Sequence, residues 1–362
     1  MKLKSKILKI HPKDNVIVAL GDLFKGDEIT NETYSFVLIS DVKAKHKFST
    51  QDLKIGGEIY MYGVIVGKAK KAIAMGEVIN TQNIIHETGK YSVPKTNQKI
   101  NWLGPKVDAY TKKTFLGYHR ENGSVGTENN WLVIPLVFCQ NRNIETLKNT
   151  ILKGLGYENL SKQSYDLHEL IQKYKTGASE SELMQVDVIT NNNKKQKNLL
   201  FPNVDGIYFL THDGGCGGST FDALTLCHLL AGYINNPNVA GATVLSLGCQ
   251  NAQMSILNDA LKRIAPSSNK PVFFLEQQQS SSEPEFITLA IKKTFIGLIK
   301  ANKISREPAS LSNLIIGLEC GGSDGFSGIS ANPTLGYVSD LVVGLGGTTI
   351  LSEFPELNGV EQ

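Results

Sequence analysis

The apolar positions of this chain change their rhythm once, close to residue 117. Before that point they come in short bursts cut by turn residues. Residues 16–20, 34–38 and 58–63 have the composition of strands, and Gly56-Gly57, Gly67 and Gly76-Glu77 punctuate them. Nothing in residues 1–90 has the spacing of an amphipathic helix, so this part is predicted as a small β-rich domain. Residues 91–115 are mostly polar, with Pro94 and Pro105, and predict a linker. Beyond it, apolar runs at 131–138, 206–210, 242–247, 271–275, 314–318 and 348–351 alternate with helix-length segments at 144–155, 220–234, 252–264, 283–299 and 334–343. Continuously apolar strands separated by helices predict a mostly parallel sheet covered on both faces. The expected class is multidomain α/β, with a central α/β domain at 116–305. A further α/β domain is expected to open at 306–362, after a charged, proline-containing connector at 301–309.

A length of 362 residues suits two or three domains. No apolar run is long enough to span a bilayer, so a membrane role is not expected. A net charge of +3, with dispersed basic residues, is too weak to argue for nucleic acid. The basic start, Met1-Lys2-Leu3-Lys4, runs into a charged strand-like segment and does not have the form of a signal peptide. Five cysteines, an odd number, argue for a reducing compartment, and a cytoplasmic location is expected. All five lie between Cys139 and Cys320, beside glycine-rich blocks.

The densest chemistry is in GLECGGSDGFSGISANP, residues 317–333, between a strand and a helix. That is where open α/β sheets bind ligands, and the glycines let backbone amides approach one closely. Ser323, Ser327 and Asp324 of this block suit hydroxyl binding, with Asp324 a candidate catalytic carboxylate. Glu353, just past the last strand, is a second candidate base. His212 and Cys216 follow the strand at 206–210, four residues apart across glycines, and His212 is a candidate for both catalysis and metal binding. Imidazole with thiolate suits Fe(II) or Zn(II). Cys249 and Cys320 also follow strands, so the thiols would lie along one sheet edge. Either at least two of Cys216, Cys249 and Cys320 share a metal site, or one serves and the others pack. Arg120, next to His119, could anchor a carboxylate through its guanidinium fork, and Asn141 with Arg142 is a second anchor. Gln278 lies in a run of three neutral amides suited to hydroxyl recognition.

These blocks resemble the altronate/galactarate dehydratase family. Besides residues 317–333, the resemblance is carried by GYVSDLVVGLGGTTILSEFPEL (336–357), GYHRENGSVGT (117–127) and HDGGCG (212–217). LAGYINNPNVAG (230–241), running on to LGCQN (247–251), is similar in order and spacing. IHPKDNV (10–16) and AKHK (44–47) resemble the family's β-rich leader. LVFCQNRN (136–143) and FLEQQQ (274–279) are closest in wording to its altronate branch. The resemblance implies a SAF-type β-clip over residues 1–90 and a hydro-lyase using Fe(II) or a similar divalent cation, Mn(II) included. The implied reaction removes water from D-altronate, giving 2-dehydro-3-deoxy-D-gluconate for hexuronate breakdown. The alternatives are dehydration of galactarate, a diacid, or an inactive remnant. The implied partner is a small sugar acid, with a homo-oligomer expected. The family runs on past the equivalent of Gln362, so the last domain is expected to be truncated here. Glu128, Asn130 and NTQN (80–83) depart from the family's pattern, which weakens two expected ligand contacts.

Overall fold

The computed structural model describes residues 6–30, 34–87, 102–157, 163–191, 199–319, 321 and 326–353. They belong to two compact units: Thr114–Ser310, and Met1–Lys113 with Leu311–Gln362. Residues 91–101 of the predicted linker lie outside the described residues.

The Thr114–Ser310 unit is built on four parallel strands, β1 (Asn130–Pro135), β2 (Gly206–Phe209), β3 (Val239–Ser246) and β4 (Val272–Glu276), in the order β2-β1-β3-β4. Every residue of β1 and β3 is buried, which is why these strands are apolar throughout instead of alternating. Trp131 and Val133 of β1 pack with α1 (Asn141–Leu155) and α4 (Glu283–Ala301) on one face. Leu132 and Ile134 pack with α2 (Thr220–Asn235) and α3 (Met254–Ile264) on the other. The chain steps from β1 outward to β2, then returns across β1 to β3. The strand order therefore reverses between β1 and β3, the place where such sheets open a ligand crevice.

Three segments differ from expectation. The apolar run 131–138 is strand only to Pro135; Phe138–Gln140 turns as a 3-10 helix and α1 starts at Asn141 instead of 144. Burial makes this run apolar beyond the strand, since Leu136 and Val137 are fully covered. The connector at 301–309 contains a strand, Glu307–Ser310, paired with Thr114–His119. It thus belongs to this unit and not to the one that follows. Between residues 156 and 205 the helices His168–Lys175 and Glu180–Leu183 bury no residue, so they leave no apolar stripe in the sequence.

In the other unit, Val16–Ala19 is buried on both sides: Val16 and Val18 face one apolar cluster, Ile17 and Ala19 another. Around it lie a four-stranded sheet, a three-stranded sheet and a hairpin, all antiparallel and made of short strands. The C-terminal residues add β5 (Ile315–Leu318) and β6 (Thr348–Leu351), a parallel pair, with α5 (Ala331–Gly344) between them in sequence. Among the described residues no helix is long and apolar enough to cross a membrane.

Candidate active site

The carboxyl edge of the β2-β1-β3-β4 sheet is dressed with amides. Gln140, after β1, is fully buried and donates from Nε2 to Gln277 Oε1, after β4, at 2.6 Å. Asn143 donates to Gln140 Oε1 (2.8 Å) and to Gln277 Oε1 (3.3 Å). After β3, buried Gln250 accepts from the Gly248 N–H (2.7 Å) and donates to Ser246 Oγ (2.6 Å). Gln278 donates its backbone N–H to Leu247 O at 3.2 Å, tying the β4 loop to the β3 loop. A buried amide left unpaired is costly, so a network this closed holds three strand ends in register. One atom stands outside it. Asn141 donates to His212 O (2.9 Å), while its Oδ1 is buried without a partner.

The loop after β2 lies across this edge. Gly214 O accepts from the Phe138 N–H, and Gly215 O accepts from the N–H groups of Asn251 and Ala252. Residues 212–218 therefore join the loops after β1 and β3 over the crevice. Gly215 has φ +96°, and a Cβ there would overlap Leu136 O and lie 2.7 Å from Val137 Cα, so only glycine fits. A cleft of about 370 Å³ opens beside the loop, lined by His212, Cys216, Ser219, Asp222 and Asn251 among others. Cys139, Cys216 and Cys249 are all exposed at this edge, each in the loop after a different strand.

His212 does not present a nitrogen to a ligand in this arrangement. Its Nε2 donates to Pro135 O (2.8 Å) and its Nδ1 accepts from the Gly214 N–H (3.1 Å). Both ring nitrogens hold the loop in this arrangement. Among the described residues no three histidine, cysteine or acidic side chains converge into a metal site, so Cys216 and Cys249 are not gathered with His212 around one ion.

Arg120 is placed differently from the other candidates. It lies at the opposite, amino edge of the sheet, and β1 between the edges is roughly 20 Å long. It is 9% exposed, and its nitrogens donate to Pro237 O (2.8 Å), Asn129 Oδ1 (2.9 Å) and Glu128 O (3.2 Å). Burial lowers its pKa, and its guanidinium stacks over Tyr118 with Cζ 5.7 Å from the ring centroid. A smaller cleft of about 100 Å³ touches Arg120 and Lys270 there, but both cations are already engaged with the protein. Arg142, by contrast, is exposed on the first turn of α1 at the carboxyl edge.

In the unit Met1–Lys113 with Leu311–Gln362, Ser327 begins a 3-10 turn, Ser327–Ile329, just before α5, and Glu353 lies two residues past β6. Cys320, Ser323 and Asp324 lie outside the described residues. The sequence reading passed over Gln140, Asn143, Gln250 and Cys139. Their signal was the recurrence of Gln or Asn directly after strand ends, in CQNRN, CQNAQ and EQQQ.

Three family regions follow one another along the chain. Residues 5–87 match the SAF domain of altronate/galactarate dehydratases. Residues 117–302 match the second domain of D-galactarate dehydratase/altronate hydrolase, and residues 311–362 match the C-terminal region of D-galactarate/altronate dehydratase. The chain is 32% identical to the altronate dehydratase of Bacillus subtilis over 98% of its own length and 61% of the relative's. For the altronate dehydratase of Escherichia coli the identity is 31%, with the same coverage. The galactarate dehydratase (L-threo-forming) of Escherichia coli is 28% identical, over 97% of this chain and 59% of the relative. The chain thus spans about three fifths of these relatives' lengths. With a SAF domain, the second domain and the C-terminal match in this order, the chain belongs to the D-galactarate dehydratase/altronate hydrolase family.

Proposed function

We propose that this chain acts as a hydro-lyase on a sugar acid, taking D-altronate to 2-dehydro-3-deoxy-D-gluconate in the cytoplasm. The observation that supports it best is the carboxyl edge beside the switch point, where Asn141 Oδ1 has no partner and Gln278 is exposed. A polyhydroxylated substrate offers donors and acceptors together, and only amides and hydroxyls match both. Arg142, exposed beside Asn141, would meet the single carboxylate in this reading. The buried Asn141 Oδ1 is an acceptor still owed a donor, which a substrate hydroxyl or a water can supply. Two relatives named altronate dehydratase stand at 31–32% identity against 28% for the galactarate enzyme, which favours the mono-acid.

The reaction breaks the C2–H bond, expels hydroxide from C3 and leaves an enol that becomes the 2-keto acid. In this reading a carboxylate, Asp324 or Glu353, takes the C2 proton, and Ser323 and Ser327 of the block at 317–333 bind hydroxyls; Gln278 is a hydroxyl-binding candidate of the Thr114–Ser310 unit. A divalent ion, Fe(II) or Mn(II), would disperse the charge built on the substrate carboxylate. The described residues do not form a site for it, since no three donors converge and His212 has no free nitrogen.

The test is formation of 2-keto-3-deoxy acid from D-altronate and from galactarate, by protein purified without oxygen and supplied with Fe(II) or Mn(II). Faster turnover of galactarate would move the reading to the diacid. Absence of both turnover and sugar-acid binding would leave the chain a non-catalytic member of its family.

A further inference from the structure

The N-terminal domain makes the same turn four times, at residues 23–29, 42–48, 53–59 and 73–79. Each is closed by one backbone bond of 2.8–3.0 Å: Asp27 to Phe24, His46 to Lys43, Gly57 to Lys54 and Glu77 to Ala74. Each has a left-handed residue at the same place. Three use glycine, Gly26 (φ +96°), Gly56 (φ +80°) and Gly76 (φ +81°); the fourth uses Lys45 (φ +75°). A side chain is disfavoured in this conformation, so a contact elsewhere must hold it.

Tyr62 is a second exception. With Gly63 it forms the two-residue loop between Glu58–Met61 and Val64–Ala69, and both residues have positive φ, +60° and +79°. Such a hairpin turn favours Asn or Asp before the glycine, not an aromatic residue. Among the described residues, Lys45 and Tyr62 are the two non-glycines with positive φ.

Both reach the same stretch of chain. Lys45 Nζ lies over the Phe326 ring, 5.0 Å from its centroid. The Tyr62 hydroxyl lies so close to Gly328 that a Cβ on that glycine would overlap it. Ile329, next in the chain, packs against the apolar cluster of Val16, Ile59 and Met61. Burial, with the Asp14 carboxylate, raises the Tyr62 pKa and keeps the phenol a donor. We infer that Lys45 and Tyr62 are positioning residues that seat the turn Ser327–Ile329 on the N-terminal domain, fixing Ser327 for substrate. The backbone strain at both is retained because each side chain supports this turn. The role of Ser327 rests on the function proposed above; the seating itself does not.

The test compares Lys45→Gly, Gly328→Ala, Tyr62→Phe and the last two combined in the full chain. Lys45→Gly restores the residue that the other three turns use, so it should raise Tm while raising the KM for altronate by about tenfold. Gly328→Ala should also raise KM by about tenfold, and adding Tyr62→Phe should bring it back to within about threefold. Both first variants should shift the ring resonances of Phe326 in NMR spectra. Unchanged KM and unchanged Phe326 resonances in Lys45→Gly and Gly328→Ala would overturn the inference. If the unsubstituted chain neither binds nor converts a sugar acid, the functional reading fails alone. The Phe326 resonances then decide the seating: shifts in both variants support it and their absence removes it.

Discussion

The two edges of the central sheet use polar groups in different ways. At the amino edge the cations Arg120, Lys270 and Arg306 are engaged with the protein, while Asn130 Oδ1 and Asn235 Oδ1 there are buried without a partner. Arg120 has three acceptors, Lys270 Nζ has three carbonyls at the end of α2, and Arg306 pairs with Asp205 at 3.1 Å. At the carboxyl edge the buried groups are neutral amides, the thiols are exposed, and one buried oxygen has no partner. Buried charge is tolerated only where the protein itself completes the hydrogen bonds, and a group so completed has nothing left for a ligand. A cation that meets a ligand in this fold is therefore expected among the exposed ones.

The strongest way to break this picture is Arg120→Met. It leaves Asn129 Oδ1, Pro237 O and Glu128 O without their donor, and it should destabilise the unit by roughly 3–5 kcal/mol. Urea unfolding measures this, and Arg120→Lys should recover only part, because an ammonium cannot reproduce the fork. If Arg120 were instead a substrate anchor, stability would hold and only KM would rise.

Gly215 and Gly217 sharpen the comparison within the carboxyl edge. Both have positive φ, but Gly215 touches Leu136 and Val137 while nothing lies within 4 Å of a Cβ on Gly217. Gly215→Ala combines overlap with strain and should cost about 2–4 kcal/mol. Gly217→Ala carries strain alone, about 1 kcal/mol. Equal losses in thermal or urea unfolding would show that the loop does not lie across the crevice.

Lys270→Met should cost about 1–3 kcal/mol, by freeing the carbonyls of Ile234, Asn235 and Asn236. Burial acts to lower the Lys270 pKa, toward about 7. A lysine with that folded value would lose its proton on folding above pH 7. Stability would then rise between pH 7 and about 10.4, where the unfolded chain still holds the proton. The three carbonyls argue the other way. Nζ approaches them at 2.6–3.2 Å, and only the ammonium has three N–H groups to give. We expect the pH dependence of stability between 7 and 9.5 to be the same in Lys270→Met and the parent chain. A rise with pH confined to the parent would show that burial prevails.

Much of the architecture was open to reading because burial on both faces writes an apolar run directly into the sequence. β1 and β3 are the clearest cases, and the three family regions follow from blocks whose wording is specific. The site was less open. Arg120 and Arg142 are the same residue type beside polar neighbours, but Arg120 precedes the strand at 131–138 and Arg142 follows it, so in a parallel sheet chain order alone puts them at opposite edges. For His212, a histidine near a cysteine and glycines has the composition of a ligand, while the carbonyl and N–H that occupy its ring belong to the backbone and leave no mark in the sequence. The four turns of the N-terminal domain were written in the sequence as repeats of an apolar residue, two spacers and glycine. They were missed because Lys45 breaks the glycine in one of them.

Arg142 gives the smallest expected change in stability and so the cleanest contrast with Arg120. Its guanidinium is exposed at the start of α1, and it has no partner among the described residues. Removing an exposed side chain with no bonds leaves no orphaned acceptor, so Arg142→Ala should change unfolding free energy by less than about 0.5 kcal/mol. If the carboxyl edge takes the acid, the same change removes its cationic partner there. The KM for altronate should rise about tenfold, near 1.4 kcal/mol, with kcat altered less, because a carboxylate anchor binds ground state and transition state alike. Arg142→Lys should restore part of this, keeping the charge without the fork. High salt should weaken binding in the parent chain and not in Arg142→Ala, since the guanidinium is in water. An unchanged KM in Arg142→Ala would mean that the exposed cation is a solvated surface group, and that the carboxylate is met in the other unit.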